Sequence, residues 1–256
     1  MRNKILARLR RIASEEDVTI LHAVESGSRA WGFASADSDY DVRFLYVRPA
    51  CWYLRLGKTR GVLEYPVDEV WDVNGWDLQK ALRLMHSSNP ALFEWLGSPV
   101  VYLTTPFAEE LRAAGRACYR KRAGLHHYLN MARGNLQKHL RDETVQAKKY
   151  FYVLRPALAC RWILEKEAPP PVAFADLCKS GLPAALRPVV EQLLDWKHIL
   201  PEGGRIARLP ELDRFLEESL AQAERAAAAL PKEPDPDWGP LDALFLRAAG
   251  WKEGLA

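Results

Sequence analysis

Val18-Thr-Ile-Leu-His-Ala-Val24, then Glu25-Ser-Gly-Ser-Arg-Ala-Trp-Gly32, then Ser38-Asp-Tyr-Asp-Val-Arg-Phe-Leu-Tyr-Val47 is the stretch that decides the fold. The first run is apolar and short enough for a buried strand, and Val42–Val47 reads as the next one. Between them, a Gly-Ser turn leaving a strand end can present backbone N–H groups to a phosphate. Side chains at i and i+2 of a strand share a face, so Asp39 and Asp41 are expected to point one way and Tyr40 the other. Two carboxylates so close repel unless a proton or a divalent ion neutralises one of them. The pattern therefore points to metal-assisted phosphate chemistry. The same residues also read as an ordinary strand-to-helix turn at Gly27-Ser28 and as turn caps at Asp39 and Asp41.

Composition sets the outer bounds. With 256 residues and 48% hydrophobic content, the chain can build one large core or two smaller ones. Lys and Arg number 36 against 33 Asp and Glu, so a nucleic-acid partner is neither demanded nor excluded by net charge, and any basic surface must be local. Cys51, Cys118, Cys160 and Cys178 show no Cys-x-x-Cys spacing, which argues against a zinc ribbon and a disulfide framework and for reduced thiols in the cytoplasm. No run approaches the roughly 20 apolar residues of a membrane span, and the basic amino end has helical rather than signal-peptide spacing.

Along the chain, helical spacing opens the sequence, and strands are expected around Trp52–Leu56, Pro66–Val73 and Val100–Leu103. Helices are expected over Gly75–Met85 and from Asn89-Pro90, with Asn89 as N-cap and Pro90 in the first position. From Pro106 the periods are helical. Pro169-Pro-Pro171 and Pro201-Glu-Gly-Gly204 read as connections, Leu209–Leu230 as a long helix, and Pro231–Pro240 as an extended connector before a last short helix. The expected architecture is α/β (α+β), a mixed-sheet domain over 1–105 followed by an all-helical domain over 106–256. His126-His127 is a poor metal pair, because adjacent helical residues point about 100° apart. Tryptophans, Trp31 included, read as packing groups.

The Gly-Ser turn and the Asp-x-Asp pair resemble the nucleotidyltransferases of the DNA polymerase β superfamily. Asp72-Val-Asn-Gly-Trp-Asp77-Leu-Gln-Lys80, Ser88-Asn-Pro-Ala-Leu-Phe-Glu-Trp95-Leu and Lys148-Lys-Tyr-Phe-Tyr-Val-Leu-Arg155-Pro narrow the resemblance to its YcgL/RlaP-type, RNA-ligase-associated branch. The resemblance implies transfer of a nucleoside monophosphate from an NTP to an acceptor hydroxyl, with Mg²⁺ or Mn²⁺ as cofactor. An RNA 3′ end is the favoured acceptor. A partner protein's hydroxyl, or regulation by nucleotide binding without catalysis, is the alternative.

On that resemblance Asp39 and Asp41 bind metal, and Gly27, Ser28 and Arg29 face the triphosphate. Two-metal transfer calls for a further carboxylate. Asp72 is the choice, with Asp77 as rival and Asp68 and Glu69 behind it. Offsets of four and seven residues put Lys148, Tyr152 and Arg155 on one helix face, where they are expected to contact nucleotide, with Lys149 off that stripe.

Overall fold

The computed structural model describes residues 1–35, 38–57, 59–66, 70–200 and 203–250, with the side chain of residue 198 excepted. Two compact units emerge. The first holds 1–30, 38–119 and the returning carboxyl-terminal segment from 234; the second holds the short segment from 31 and residues 120–233. The division at 119/120 and the return of the chain to the first unit differ from the expected break at 105/106. Helix α6 (Phe107–Cys118) is helical as expected but buries Leu111 and Cys118 in the first unit's core, which sequence periodicity does not reveal.

The first unit is built on a sheet of order β3-β4-β2-β1-β5, comprising β1 (Thr19–Glu25), β2 (Tyr40–Val47), β3 (Val62–Glu64), β4 (Trp71–Asp77) and β5 (Val101–Thr104). Strands β2 and β4 run parallel and the other pairs antiparallel, so the sheet is mixed. Period-2 alternation gives β2 two faces. Val42, Phe44 and Tyr46 pack on one side with Ile5, Leu9 and Ile12 of helix α1 (Arg2–Glu15). Leu45 and Val47 pack on the other with α4 (Leu78–His86), α5 (Pro90–Gly97), α6 and α12 (Gly239–Ala248). Asn89 caps α5 by accepting the Ala91 N–H at 3.1 Å, with Pro90 in the first turn, as its sequence demands.

Two strand expectations need correction. Trp52 belongs to a single helical turn, α3 (Ala50–Tyr53): Pro49 fixes the entry at φ −57°, and the guanidiniums of Arg48 and Arg55 lie on the Trp52 ring at 4.1 and 3.9 Å. Strand β4 runs on to Asp77, four residues beyond the expected end at Val73, and the helix starts at Leu78. Residues Val67, Asp68 and Glu69, part of the expected strand and two of the carboxylate rivals, lie outside the described residues.

Among the described residues the second unit is helical apart from a two-stranded ribbon, β6 (Thr144–Gln146) and β7 (Arg205–Ala207). At its centre α8 (Ala147–Lys166) is apolar nearly all round and buries Phe151, Leu154, Leu158 and Ile163 against α7 (Lys121–His139), α9 (Phe174–Gly181) and α11 (Pro210–Ala229). Phe33 stacks on Phe151 at 4.7 Å and meets the edge of Phe174 at 5.4 Å. Pro156 lies inside α8 and has no N–H to give to the Tyr152 carbonyl, four residues back. Asn135 Nδ2 donates to that carbonyl at 3.1 Å instead, so α7 supplies the hydrogen bond that proline removes from α8.

Candidate active site

Strand β1 ends in Glu25, and Gly27 at φ +58° opens the short helix α2 (Gly27–Trp31). The Ser26 N–H donates to the Asp41 carbonyl at 2.8 Å, which fixes the turn against the start of β2. A Cβ on Gly27 would stand 2.0 Å from Asp41 Oδ2, so the glycine is needed for this approach. Glu25 is fully buried; it accepts the Asp41 N–H at 2.8 Å on Oε1 and the Tyr102 hydroxyl on Oε2. Burial raises its carboxyl pKa, opposed by those two hydrogen bonds.

Asp41 lies in β2 and Asp39 just before it, exposed. Tyr40 turns to the α1 side with Val42, as alternation requires. The parallel register sets Asp41 opposite Asp72, Val42 opposite Val73 and Arg43 opposite Asn74. Adjacent strands thereby put Asp41, Arg43, Asp72 and Asn74 on one face, at the opposite end from apolar Leu45 and Val47. Arg43 Nη2 donates to Asp41 Oδ1 at 3.0 Å and to Asp72 Oδ2 at 2.6 Å, and its Nη1 donates to the Asp72 carbonyl at 2.8 Å.

Burial is the main cause that raises the Asp41 carboxyl pKa. The charges of Asp72 and Asp39 add to it, and Arg43 opposes it. Asp41 is thus a half-buried acid with two further carboxylates near it, a setting in which a cation is favourable. Among the described residues no group of three His, Cys, Asp or Glu is arranged as a ready metal cluster. What converges is a pair, Asp41 Oδ1 and Asp72 Oδ2, around one positively charged nitrogen. Hard oxygen donors meeting at a cationic position suit Mg²⁺ or Mn²⁺.

Asp77 sits differently. It is 4% exposed, caps α4 by accepting the Gln79 N–H at 2.8 Å, and takes the Tyr53 hydroxyl at 2.8 Å. Both its oxygens are committed to holding secondary structure. Arg29 is also committed: its Nε and Nη2 donate to the Asp39 and Ser38 carbonyls at 3.1 and 2.6 Å, with its guanidinium 3.8 Å from the Tyr40 ring. It ties the incoming loop to the turn.

In the second unit Lys148, Tyr152 and Arg155 all lie on α8, but they do not form one open stripe. Arg155 is only 3% exposed, with its guanidinium 4.6 Å from the Trp31 ring and Nη2 donating to the Val172 carbonyl at 3.4 Å. A seven-residue offset selects a helix face without saying whether that face is covered, and here its far end is. Lys148 and Tyr152 are half-buried. Lys149, expected to stand apart, has its Nζ 4.6 Å from the Tyr152 ring.

Arg43 and Glu25 are polar residues of the opening stretch that touch the Asp41 site and that sequence spacing does not single out. The i, i+2 rule that paired Asp39 with Asp41 also puts Arg43 on the Asp41 face. Glu25 carried the weaker signal of an acid closing an otherwise apolar strand.

A 41% identical relative, the uncharacterised protein YcgL of Bacillus subtilis (strain 168), aligns over 260 residues, covering 99% of this chain and 99% of that protein. A nucleotidyltransferase-like protein from Exiguobacterium sibiricum 255-15 superposes over 94% of this chain and 76% of its own at 15% identity, with a TM-score of 0.31, too loose to bear on the fold. The family model described as RlaP, the RNA repair pathway DNA polymerase beta family, matches residues 1–247. With that match spanning nearly its whole length, the chain belongs to the RlaP family.

Proposed function

We propose that the chain is a metal-dependent nucleotidyltransferase that moves a nucleoside monophosphate from an NTP to an acceptor hydroxyl, with an RNA 3′ end as acceptor. The observation that carries this reading is the meeting of Asp41 and Asp72 carboxylate oxygens around one cationic position, beside the Gly27-Ser28 turn. In this reading Asp39, Asp41 and Asp72 hold Mg²⁺ or Mn²⁺, which when bound neutralises phosphate charge and eases deprotonation of the attacking hydroxyl. Gly27 and Ser28 contact the triphosphate through backbone N–H groups and the serine hydroxyl. Arg29 serves by fixing residues 38 and 39. Lys148 and Tyr152 are the second unit's candidate contacts for nucleotide or RNA, while buried Arg155 holds that unit's packing. The RNA acceptor rests on the family's description.

The test is isotope transfer. The full chain is incubated with each α-labelled NTP, Mg²⁺ or Mn²⁺, and RNA ending in a 3′ hydroxyl or a 3′ phosphate. Extension of the hydroxyl-ended RNA alone, lost in Asp41→Asn, is the expected result. Label appearing on protein instead would move the acceptor, and no transfer to either with bound nucleotide would reduce the chain to a binding module.

A further inference from the structure

The side chain between the two carboxylates has no part in the reaction as described so far. Arg43 is 16% exposed, and its guanidinium reaches Asp41 Oδ1, Asp72 Oδ2 and the carbonyls of Asp72 and Val42, the last at 3.2 Å. Two of these four acceptors, Asp41 Oδ1 and Asp72 Oδ2, belong to carboxylates assigned to the metal and are the oxygens that converge between the strands. A guanidinium keeps its charge at every working pH and sheds its hydration readily, so it is an effective permanent counter-charge for two acids on neighbouring strands. A divalent ion binds carboxylate oxygens at about 2.0–2.6 Å. The same two oxygens cannot keep short contacts to a guanidinium nitrogen lying between them and also enclose such an ion.

Resting on the reading of Asp41 and Asp72 as metal-holding residues, we infer that Arg43 is the internal counter-cation of this pair and competes with the divalent ion for their oxygens. It is a positioning residue that acts through both carboxylates. It keeps them together across the β2–β4 register, and it raises the metal concentration at which the site loads. An ion enters as the guanidinium gives up Asp41 Oδ1 and Asp72 Oδ2, while the Asp72 and Val42 carbonyls remain as acceptors that can retain the side chain nearby. A purely architectural ion pair predicts the opposite result: removing it would loosen Asp72 and weaken metal binding.

The two accounts separate on direct Mn²⁺ binding to the full chain without nucleotide, followed by the electron paramagnetic resonance of free Mn²⁺. Arg43→Gln removes the positive charge and keeps an amide donor; its Kd for Mn²⁺ is expected to fall by about tenfold or more. Arg43→Lys retains the charge and should stay within about threefold of the parent. Equal or weaker binding in a folded Arg43→Gln chain overturns the counter-cation role and leaves the metal site standing. Absence of Mn²⁺ binding in both parent and variant removes the metal site and this role together. Should Arg43→Gln fail to fold by circular dichroism, the parent chain decides. The Arg43 Nε–Hε resonance, assigned by its loss in Arg43→Lys, must shift on Mg²⁺ addition and stop shifting in Asp41→Asn. An unmoved resonance with Mg²⁺ bound overturns the proposal.

Discussion

The carboxylate of Asp41 fills the space beside Gly27, its Oδ2 lying 2.0 Å from where a β-carbon on residue 27 would stand. Close backbone approach is thus required by a side chain of the same site, before any phosphate is considered. Gly27→Ala is expected to lose about 1–3 kcal/mol in urea denaturation, from positive-φ strain and the clash, and to displace Asp41 enough to weaken Mn²⁺ binding. Unchanged stability in that variant would contradict the packing.

Asp72 and Asp77 make opposite demands. Asp77→Ala removes a helix cap and leaves the Tyr53 hydroxyl without its acceptor, so it should cost about 2 kcal/mol of stability. Asp72→Asn, on a half-exposed side chain, should change stability by less than about 1 kcal/mol while turnover falls by about a hundredfold or more. Denaturation and single-turnover transfer on the same preparations give both answers.

Asn135 and Pro156 form a testable pair. Asn135→Ala should destabilise by about 1–2 kcal/mol, because the Tyr152 carbonyl then has neither Pro156 nor Asn135 to satisfy it. In a Pro156→Ala background the backbone N–H of residue 156 becomes available, and the loss should shrink. A double-mutant cycle by chemical denaturation reads the coupling; additive losses would show that the carbonyl does not need Asn135.

His22 makes the fold sensitive to acid. Burial first, and then the Arg112 charge, lower its pKa from 6.5 to about 4, with Nδ1 against Thr104 Oγ1 at 3.2 Å and Nε2 3.3 Å from the Arg112 guanidinium. Above pH 6.5 it is neutral in folded and unfolded chains alike. Below that the unfolded chain takes up the proton first, so stability falls as pH drops towards 4. Between pH 7 and pH 5 the parent should lose about 2 kcal/mol through this group. The difference between its pH profile and that of His22→Gln isolates the effect, and parallel profiles would exclude it.

Periodicity made β1, β2 and α1 legible, and the Asn-Pro pair did the same for α5. It failed at Trp52, where alternating apolar residues suggested a strand although Leu54 and Leu56 are exposed. It also ended β4 too early. Asn74 and Gly75 are weak strand residues, but the glycine is there because the Phe44 ring occupies its Cβ position, 2.2 Å from Cζ. Which strands are neighbours is a non-local fact, so sequence spacing alone could not put Asp72 opposite Asp41, nor send α12 back to the first unit. Asp-x-Asp is legible from spacing alone, whereas the place of Arg43 between two carboxylates depends on Asp72, which only the β2–β4 pairing brings beside it.

The β2–β4 pairing has one more consequence, for how length can vary in this family. Asp41 and Asp72 meet through strand register, held by Val42 beside Val73 and Phe44 over Gly75. Residues gained or lost in the connection between the strands therefore leave the two acids opposite each other. One residue gained or lost within β4 does not: it sets Val73 or Trp71 against Asp41 and turns the acid to the other face of the sheet. Insertions and deletions among homologues are thus expected in the connecting segment and excluded from the strand, a pattern imposed by hydrogen-bond register rather than by the chemistry of any one side chain.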